Sequence, residues 1–142
     1  MSHHYKFIDH TADIAAELRG DSLEELFVAG AEAWLDAVSD NINSDANDSL
    51  EIDLLANSKE ELLVSFLNEL NFLFTTRKWF CIKVDSIKVI EDDNNLEISA
   101  ELSGIKIENN FPLKQEIKSV TYHQMEIIKQ NGNYSTRVVF DI

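Results

Sequence analysis

Three groups near the two ends of the sequence could together bind a metal ion. Asp13 begins an alternating run near the start of the chain, and Asp141 and Ile142 close the sequence, the last residue with a main-chain carboxylate. Carboxylates that meet in one place repel each other unless a cation or a hydrogen-bond donor compensates. Because all three ligands would be oxygens, the pattern favours a hard cation, Ca²⁺, Mg²⁺ or Mn²⁺. The alternative interpretation is that Asp13 caps a turn and Asp141 faces water.

A β-hairpin at the end of the sequence is predicted to hold Asp141 and Ile142 in place. Two β-rich runs flank Asn131-Gly132, a dipeptide suited to a type I′ turn because both residues tolerate positive φ. The chain is therefore expected to end inside a strand. That strand alternates between two faces, with Val138, Phe140 and Ile142 on one and Arg137, Val139 and Asp141 on the other.

Thiol and imidazole chemistry have weaker support in the sequence. Cys81 lies in an apolar run and is predicted to be buried and unreactive, because a nucleophilic thiol needs an accessible, electropositive setting. His3 and His4 are expected to lie in a frayed N-terminus. His10 and His123 lack the paired spacing of a zinc site.

Calcium loops and phosphate-binding loops are also disfavoured. The acidic stretches 45–48 and 91–93 lack the glycine and the terminal glutamate of a calcium-binding loop, so they are predicted to be solvated turns. With four glycines in all, the sequence contains neither a P-loop nor a dinucleotide-binding loop. Binding of ATP or of a dinucleotide by a standard fold is therefore disfavoured.

The overall composition indicates one globular domain spanning residues 1–142. The sequence is 44% hydrophobic and 27% charged, as expected for a protein with a packed core and a polar surface. No apolar run approaches the roughly 20 residues of a membrane span. The N-terminus has no apolar signal segment, and Cys81 is the single cysteine, so a cytoplasmic location is expected.

The net charge of −14, from 12 basic and 26 acidic residues, restricts the kind of partner. A surface of this sign repels phosphate backbones, which disfavours direct binding to nucleic acid. It suits a basic protein surface or a cation, and it is also compatible with a role in solubility alone.

Hydrophobic periodicity predicts an α+β domain. Capping boxes at Ser22–Glu25 and Ser58–Glu61 begin two amphipathic helices, which end near Ser39 and near residues 75–77. Alternating runs predict six to eight strands, with a break near residues 85–86. Gly104 interrupts the later run, which suggests a bulge or bend at that point. We expect a two-layer domain in which a mainly antiparallel sheet is covered by the two helices.

Several segments, in order along the whole chain, resemble the archease family. They are Asp-His-Thr-Ala-Asp at 9–13, the start of the first helix at 20–27, the second helix at 62–71, the segment 116–123 and the terminal residues 139–142. The resemblance implies an archease-like fold. It also implies a metal site formed by the aspartate of the Thr-Ala-Asp motif, the penultimate aspartate and the last residue, which match Asp13, Asp141 and Ile142.

The resemblance further implies an accessory protein and not an enzyme. Archeases support an RtcB-type RNA ligase, which joins RNA ends with GTP and Mn²⁺ in tRNA splicing and RNA repair. By resemblance, this protein would promote guanylylation of the ligase and its multiple turnover, and it would meet RNA only through the ligase. One alternative is a metal-binding, chaperone-like module. A hydrolase that uses the three carboxylates is disfavoured, because no paired base is evident.

Overall fold

The computed structural model describes residues 2–8, 13–39, 45–108, 111–121 and 125–142. The helices are α1 (Leu23–Val38) and α2 (Lys59–Thr75). The strands are β1 (His3–Ile8), β2 (Asp13–Gly20), β3 (Asp48–Ala56), β4 (Trp79–Glu91), β5 (Leu96–Lys106), β6 (Ser119–Thr121), β7 (Ile128–Gln130) and β8 (Asn133–Asp141). Two helices with eight strands confirm the predicted α+β class.

The strands form two sheets, a division that the sequence pattern does not indicate. The first sheet has the order β1-β2-β8-β6, with β7 also paired to β8. The second sheet has the order β3-β5-β4. All of these pairs are antiparallel. The first sheet combines β1 and β2 from the start of the sequence with β6, β7 and β8 from its end. Strand β8 contains the last residues of this sheet and lies between β2 and β6.

Both helices begin at the predicted capping boxes. The Ser22 hydroxyl accepts a hydrogen bond from the Glu25 amide at 3.1 Å, and the Ser58 hydroxyl accepts one from the Glu61 amide at 3.1 Å. These bonds satisfy amides that the first helical turn leaves without intrahelical partners. Within the described ranges, neither helix has the length and apolarity needed to cross a bilayer.

The two helices connect the sheets through one hydrophobic core. Helix α1 contacts β1, β2 and β8 of the first sheet and β4 of the second, and α2 contacts β3, β4, β5 and β6. The helices meet where the rings of Phe27 and Phe66 stack at 5.9 Å. Trp34 of α1 packs against Phe80 of β4 at 5.4 Å. Burying such large aromatic surfaces is a major source of stability in a domain of this size.

The hairpin turn between β7 and β8 has the predicted geometry. Asn131 has φ of 54° and Gly132 has φ of 82°, so both turn residues are left-handed, as a type I′ turn requires. The two predicted faces of β8 are also present. Val138 and Phe140 are fully buried, whereas Arg137 and Asp141 are exposed.

The β4–β5 pair accounts for both irregularities predicted in the second half of the chain. The break near residues 85–86 is a shift in pairing register between Val84 and Ser86 within one continuous strand. At Gly104 the strand does not break, because β5 continues to Lys106, but the suggested irregularity is present: the pairing register shifts between Cys81, which lies opposite Gly104, and Lys83. A glycine is needed there because a Cβ atom would lie 2.4 Å from the Phe80 carbonyl oxygen.

The N-terminal strand is fixed to α1 by His3, so the expectation of a frayed terminus at His3 and His4 is wrong. Both residues belong to β1 and pair with the end of β2. The His3 Nδ1 atom lies 2.6 Å from a Glu25 carboxylate oxygen, and its Nε2 atom contacts the Glu32 carboxylate. Two carboxylates on one helix therefore face the two ring nitrogens of a single imidazole.

This arrangement predicts pH-dependent stability. Burial lowers the pKa of His3, but hydrogen bonds to Glu25 and Glu32 outweigh it and raise the pKa above 6.5. The folded state therefore binds the proton more tightly than the unfolded chain does. We expect wild type to exceed His3→Gln in stability most below about pH 6.5, with the difference shrinking as pH rises through the raised pKa.

Chemical denaturation of both proteins across a pH series measures this difference. His4→Gln is the matched control, because His4 is exposed on the same strand and points away from α1. A stability difference between wild type and His3→Gln that does not change with pH would contradict the assigned role.

Candidate metal centre

The pairing of β2 with β8 brings the two predicted carboxylates together. The register runs without a break from Asp13 opposite Asp141 to Gly20 opposite Tyr134. Directly opposed residues in an antiparallel pair have Cβ atoms about 4.5–5.5 Å apart, on the same face of the sheet. Asp13 and Asp141 are therefore neighbours, and Ile142 follows immediately.

Strand β6 flanks Asp141 on its other side. Ser119 lies opposite Asp141, and the Lys118 amide donates a hydrogen bond of 2.8 Å to the Asp141 carbonyl oxygen. Asp13, Asp141 and Ser119 thus form one row across three adjacent strands. Ser119 is not predicted from the sequence, because no local pattern indicates which segment pairs with the end of β8. The row places a hydroxyl beside the two carboxylates.

The three predicted ligands differ in their exposure. Asp141 is exposed, whereas Asp13 is half-buried and its Oδ1 atom is shielded from solvent. The Ile142 side chain is half-buried and packs against the core, which fixes the main chain next to Asp141. Like charges on directly opposed residues destabilise a sheet, and a cation would offset that repulsion.

The donor set fits a hard divalent cation when the main-chain oxygens of the last residue are included. Within the described ranges, no three His, Cys, Asp or Glu side chains form a group that could hold a metal ion. The main chain of Ile142 follows directly after Asp141, and its oxygens would be further ligands for a cation next to Asp13 and Asp141. Such an all-oxygen set matches the preference of Ca²⁺, Mg²⁺ and Mn²⁺. Binding at this position stays a prediction.

Two asparagines of α2 hold β6, and through it the end of β8. The Asn68 side chain accepts from the Val120 amide at 2.8 Å and donates to the Val120 carbonyl oxygen at 3.0 Å. The Asn71 side chain donates to the Ile117 carbonyl oxygen at 2.8 Å and accepts from the Trp34 indole at 3.0 Å. The sequence signal that could have indicated this role is the pair of side-chain amides, three residues apart, beside the apolar face of the helix.

The other residues singled out by sequence lie away from this row or outside the described ranges. Cys81 is buried as predicted, and burial raises the pKa of its thiol to about 12, which keeps it protonated at neutral pH. Of the acidic stretches, 91–93 is exposed, whereas Asp48 begins β3 and accepts a hydrogen bond from the Trp79 indole at 3.1 Å. His10 and His123 lie outside the described residues.

Comparison with known proteins gives consistent matches over nearly the whole length. The model of the Archease protein family matches residues 5–142. The archease of Methanosarcina barkeri is 35% identical over 141 residues, covering 97% of this chain and 95% of the relative. The archease of Archaeoglobus fulgidus is 36% identical over 138 residues, covering 97% and 98%.

Solved structures agree with these sequence matches. Protein 1598 of Methanobacterium thermoautotrophicum superposes with a TM-score of 0.83 at 29% identity, covering 97% of this chain and 98% of that one. A Thermotoga maritima protein described as an archease and possible chaperone superposes with a TM-score of 0.61 at 24% identity, covering 96% of each chain, and supports the fold alone. On the family match and the close relatives, this chain belongs to the archease family.

Proposed function

We propose that this protein is an accessory protein of an RtcB-type RNA ligase, which it activates by promoting guanylylation and multiple turnover in tRNA splicing or RNA repair. Membership of the archease family supports this role. The observation that carries it is the register between β2 and β8, which sets Asp13 opposite Asp141 and beside Ile142. The protein supplies these groups and is not itself the enzyme.

The charge of the protein suits docking on a basic ligase. Acidic residues outnumber basic ones by 26 to 12, so the protein would be attracted to a positively charged RNA-binding cleft and would compete with RNA for it. Contact with RNA would be indirect, through the ligase. We expect this role to be carried out in the cytoplasm. Cys81 is the single cysteine, which fits a reducing compartment.

The carboxylates of Asp13 and Asp141 and the main-chain carboxylate of Ile142 would hold one divalent cation, with Ca²⁺ as the first candidate and Mg²⁺ or Mn²⁺ as the others. A bound cation supplies charge that can orient phosphate oxygens. The role of this chain is to fix three oxygen ligands close together at the end of β8, two from the opposed Asp13 and Asp141 and one from Ile142. Bonds from neighbouring strands and from α2 keep that strand end rigid.

Single-turnover guanylylation of the partner ligase tests the proposal. We expect Asp141→Asn and Asp13→Asn to reduce the stimulated rate about tenfold or more, because each removes a charged ligand. Asp53→Asn is the matched control, since Asp53 is exposed on β3 of the second sheet and the charge change is the same. If Asp141→Asn stimulates the ligase as well as wild type does, the proposal is wrong.

Cation binding is measured separately on the isolated protein. Ca²⁺ should raise the thermal midpoint of wild type and of Asp53→Asn but not that of Asp141→Asn, because a ligand that binds only the folded state stabilises it. A short extension after Ile142 tests the main-chain carboxylate in the same assay. Unchanged Ca²⁺ binding with the extension present would remove Ile142 from the site.

A chaperone-like module is the second candidate function. The Thermotoga maritima neighbour is described as a possible chaperone, and this description names the second role to be tested. An aggregation assay with a heat-unfolded client protein distinguishes the two roles. Protection of the client without any effect on ligase guanylylation would favour the chaperone.

A further inference from the structure

A basic-rimmed apolar depression lies at the end of α2, on the second sheet and away from the carboxylate row. Its volume is about 520 Å³. The turn between α2 and β4 forms one side, and β3 and the end of β5 form the others. Its apolar lining consists of Leu50, Phe72, Leu73, Trp79 and Ile107.

The rim of this depression is basic, in contrast to the rest of the protein. Arg77, Lys78 and Lys106 border it together with one acidic residue, Glu69. These are three of the 12 basic residues in a chain of net charge −14. All three are exposed, and in the described part of the chain none of them forms an ion pair with a carboxylate. Their charge is therefore available to a partner.

Phe72, which lies beside these cations, is an exposed aromatic residue. Its exposed fraction is 43%, and the Arg77 guanidinium carbon lies 5.9 Å from its ring centroid. A guanidinium over an aromatic face keeps its donors available at the edge for a carboxylate. The pair combines apolar contact area with positive charge at one point of the rim.

The backbone holds the rim in a fixed position. Lys78 has φ of 56°, a left-handed conformation that glycine adopts at less cost. Its carbonyl oxygen accepts a hydrogen bond of 2.8 Å from the Ile107 amide, which ties the turn to the segment after β5. Arg77 and Lys78 also complement the dipole at the end of α2, but that effect does not account for Lys106 or the exposed Phe72.

We propose that this depression docks an acidic segment of a protein partner, with one apolar or aromatic side chain in the depression and flanking carboxylates on Arg77, Lys78 and Lys106. The apolar lining fits a side chain, and the unpaired cations fit carboxylates next to it. An extended nucleic acid is a poorer occupant, because the net charge of −14 would repel its phosphates beyond the rim.

Fluorescence anisotropy with a defined probe tests the proposal. The probe is a short labelled peptide in which Leu-Phe is flanked by Asp and Glu. Two comparison peptides carry Lys in place of the acidic residues or Ala-Ala in place of Leu-Phe. The third comparison probe is oligouridylate. We expect only the acidic Leu-Phe peptide to bind, with an affinity that falls as salt rises. Tighter binding of oligouridylate to the wild-type protein would overturn the assignment in favour of nucleic acid.

Charge-reversal variants test whether the acidic peptide binds at this depression. Lys78→Glu combined with Lys106→Glu should weaken the acidic peptide about tenfold or more. Lys6→Glu combined with Lys88→Glu makes the same net charge change at exposed positions elsewhere and should stay within about twofold of wild type. Equal weakening by both pairs would overturn the assignment.

A second variant covers the case in which charge reversal prevents folding. Arg77→Ala combined with Phe72→Ser removes one cation and the exposed ring, and it should likewise weaken the acidic peptide. In wild type, the indole N–H signal of Trp79, which lines the depression, should shift on titration with that peptide. Binding without any shift at Trp79 places the peptide elsewhere and refutes the proposal.

Discussion

Asn71→Ala is expected to lower the free energy of unfolding by about 3–4 kcal/mol. The Asn71 side chain is 5% exposed and joins the Trp34 indole to the Ile117 carbonyl oxygen. Alanine would leave a buried donor and a buried acceptor without their partner, each at a cost of about 1–3 kcal/mol, and would also open a cavity. Urea denaturation of both proteins measures the difference.

The effect should extend to the candidate metal centre, because Ile117 leads directly into β6. Hydrogen exchange at residues 119–121 should accelerate in Asn71→Ala, and cation binding should weaken with it. Ser65→Ala is the control, since Ser65 is half-buried on the same helix and lies outside this network. If the free energy of unfolding falls by less than about 1 kcal/mol, water replaces the amide, and Asn71 does not hold β6 in place.

Gly104→Ala is expected to cost about 3 kcal/mol of folding free energy. The new Cβ atom would lie 2.4 Å from the Phe80 carbonyl oxygen and 2.6 Å from the Trp79 ring. Neither neighbour can move freely, since the first belongs to the backbone of β4 and the second is buried. Relief of the clash would require β4 and β5 to separate, which breaks hydrogen bonds of the second sheet.

Thermal unfolding of Gly104→Ala and of Ser99→Ala isolates this effect. Ser99 lies on the same strand and is half-buried, so its truncation should change stability by less than about 0.5 kcal/mol. If Gly104→Ala unfolds like wild type, β4 and β5 are not in close contact at this point. The depression bordered by Trp79 would then also have a different shape.

Most local elements of the fold could be predicted from the sequence. The capping residues Ser22 and Ser58 begin the two helices, and the left-handed turn at Asn131-Gly132 sets the final hairpin. Each of these features depends on residues within a few positions of one another. The irregularity suggested at Gly104 is present, but the sequence could not predict the close approach that requires a glycine there, because that approach comes from Phe80 on a neighbouring strand.

For the candidate site, the identities of Asp13, Asp141 and Ile142 followed from the sequence and its resemblance to archeases. Their alternation on strands predicted which face each would take. The sequence could not predict Ser119 beside Asp141, nor the hold of Asn71 on β6. Those contacts join segments far apart in the chain, and no local pattern encodes which segments meet.

The sequence by itself determined the helices, the alternation of the strands, the closing turn and the excess of acidic residues, because each is a property of nearby residues or of composition. Only the tertiary structure decided that the strands divide into two sheets and that β8 lies between β2 and β6. It also decided that basic residues surround an apolar depression at the end of α2. The physical reason is that strand pairing and burial are selected by the packing of the whole core, and many pairings satisfy the same local pattern.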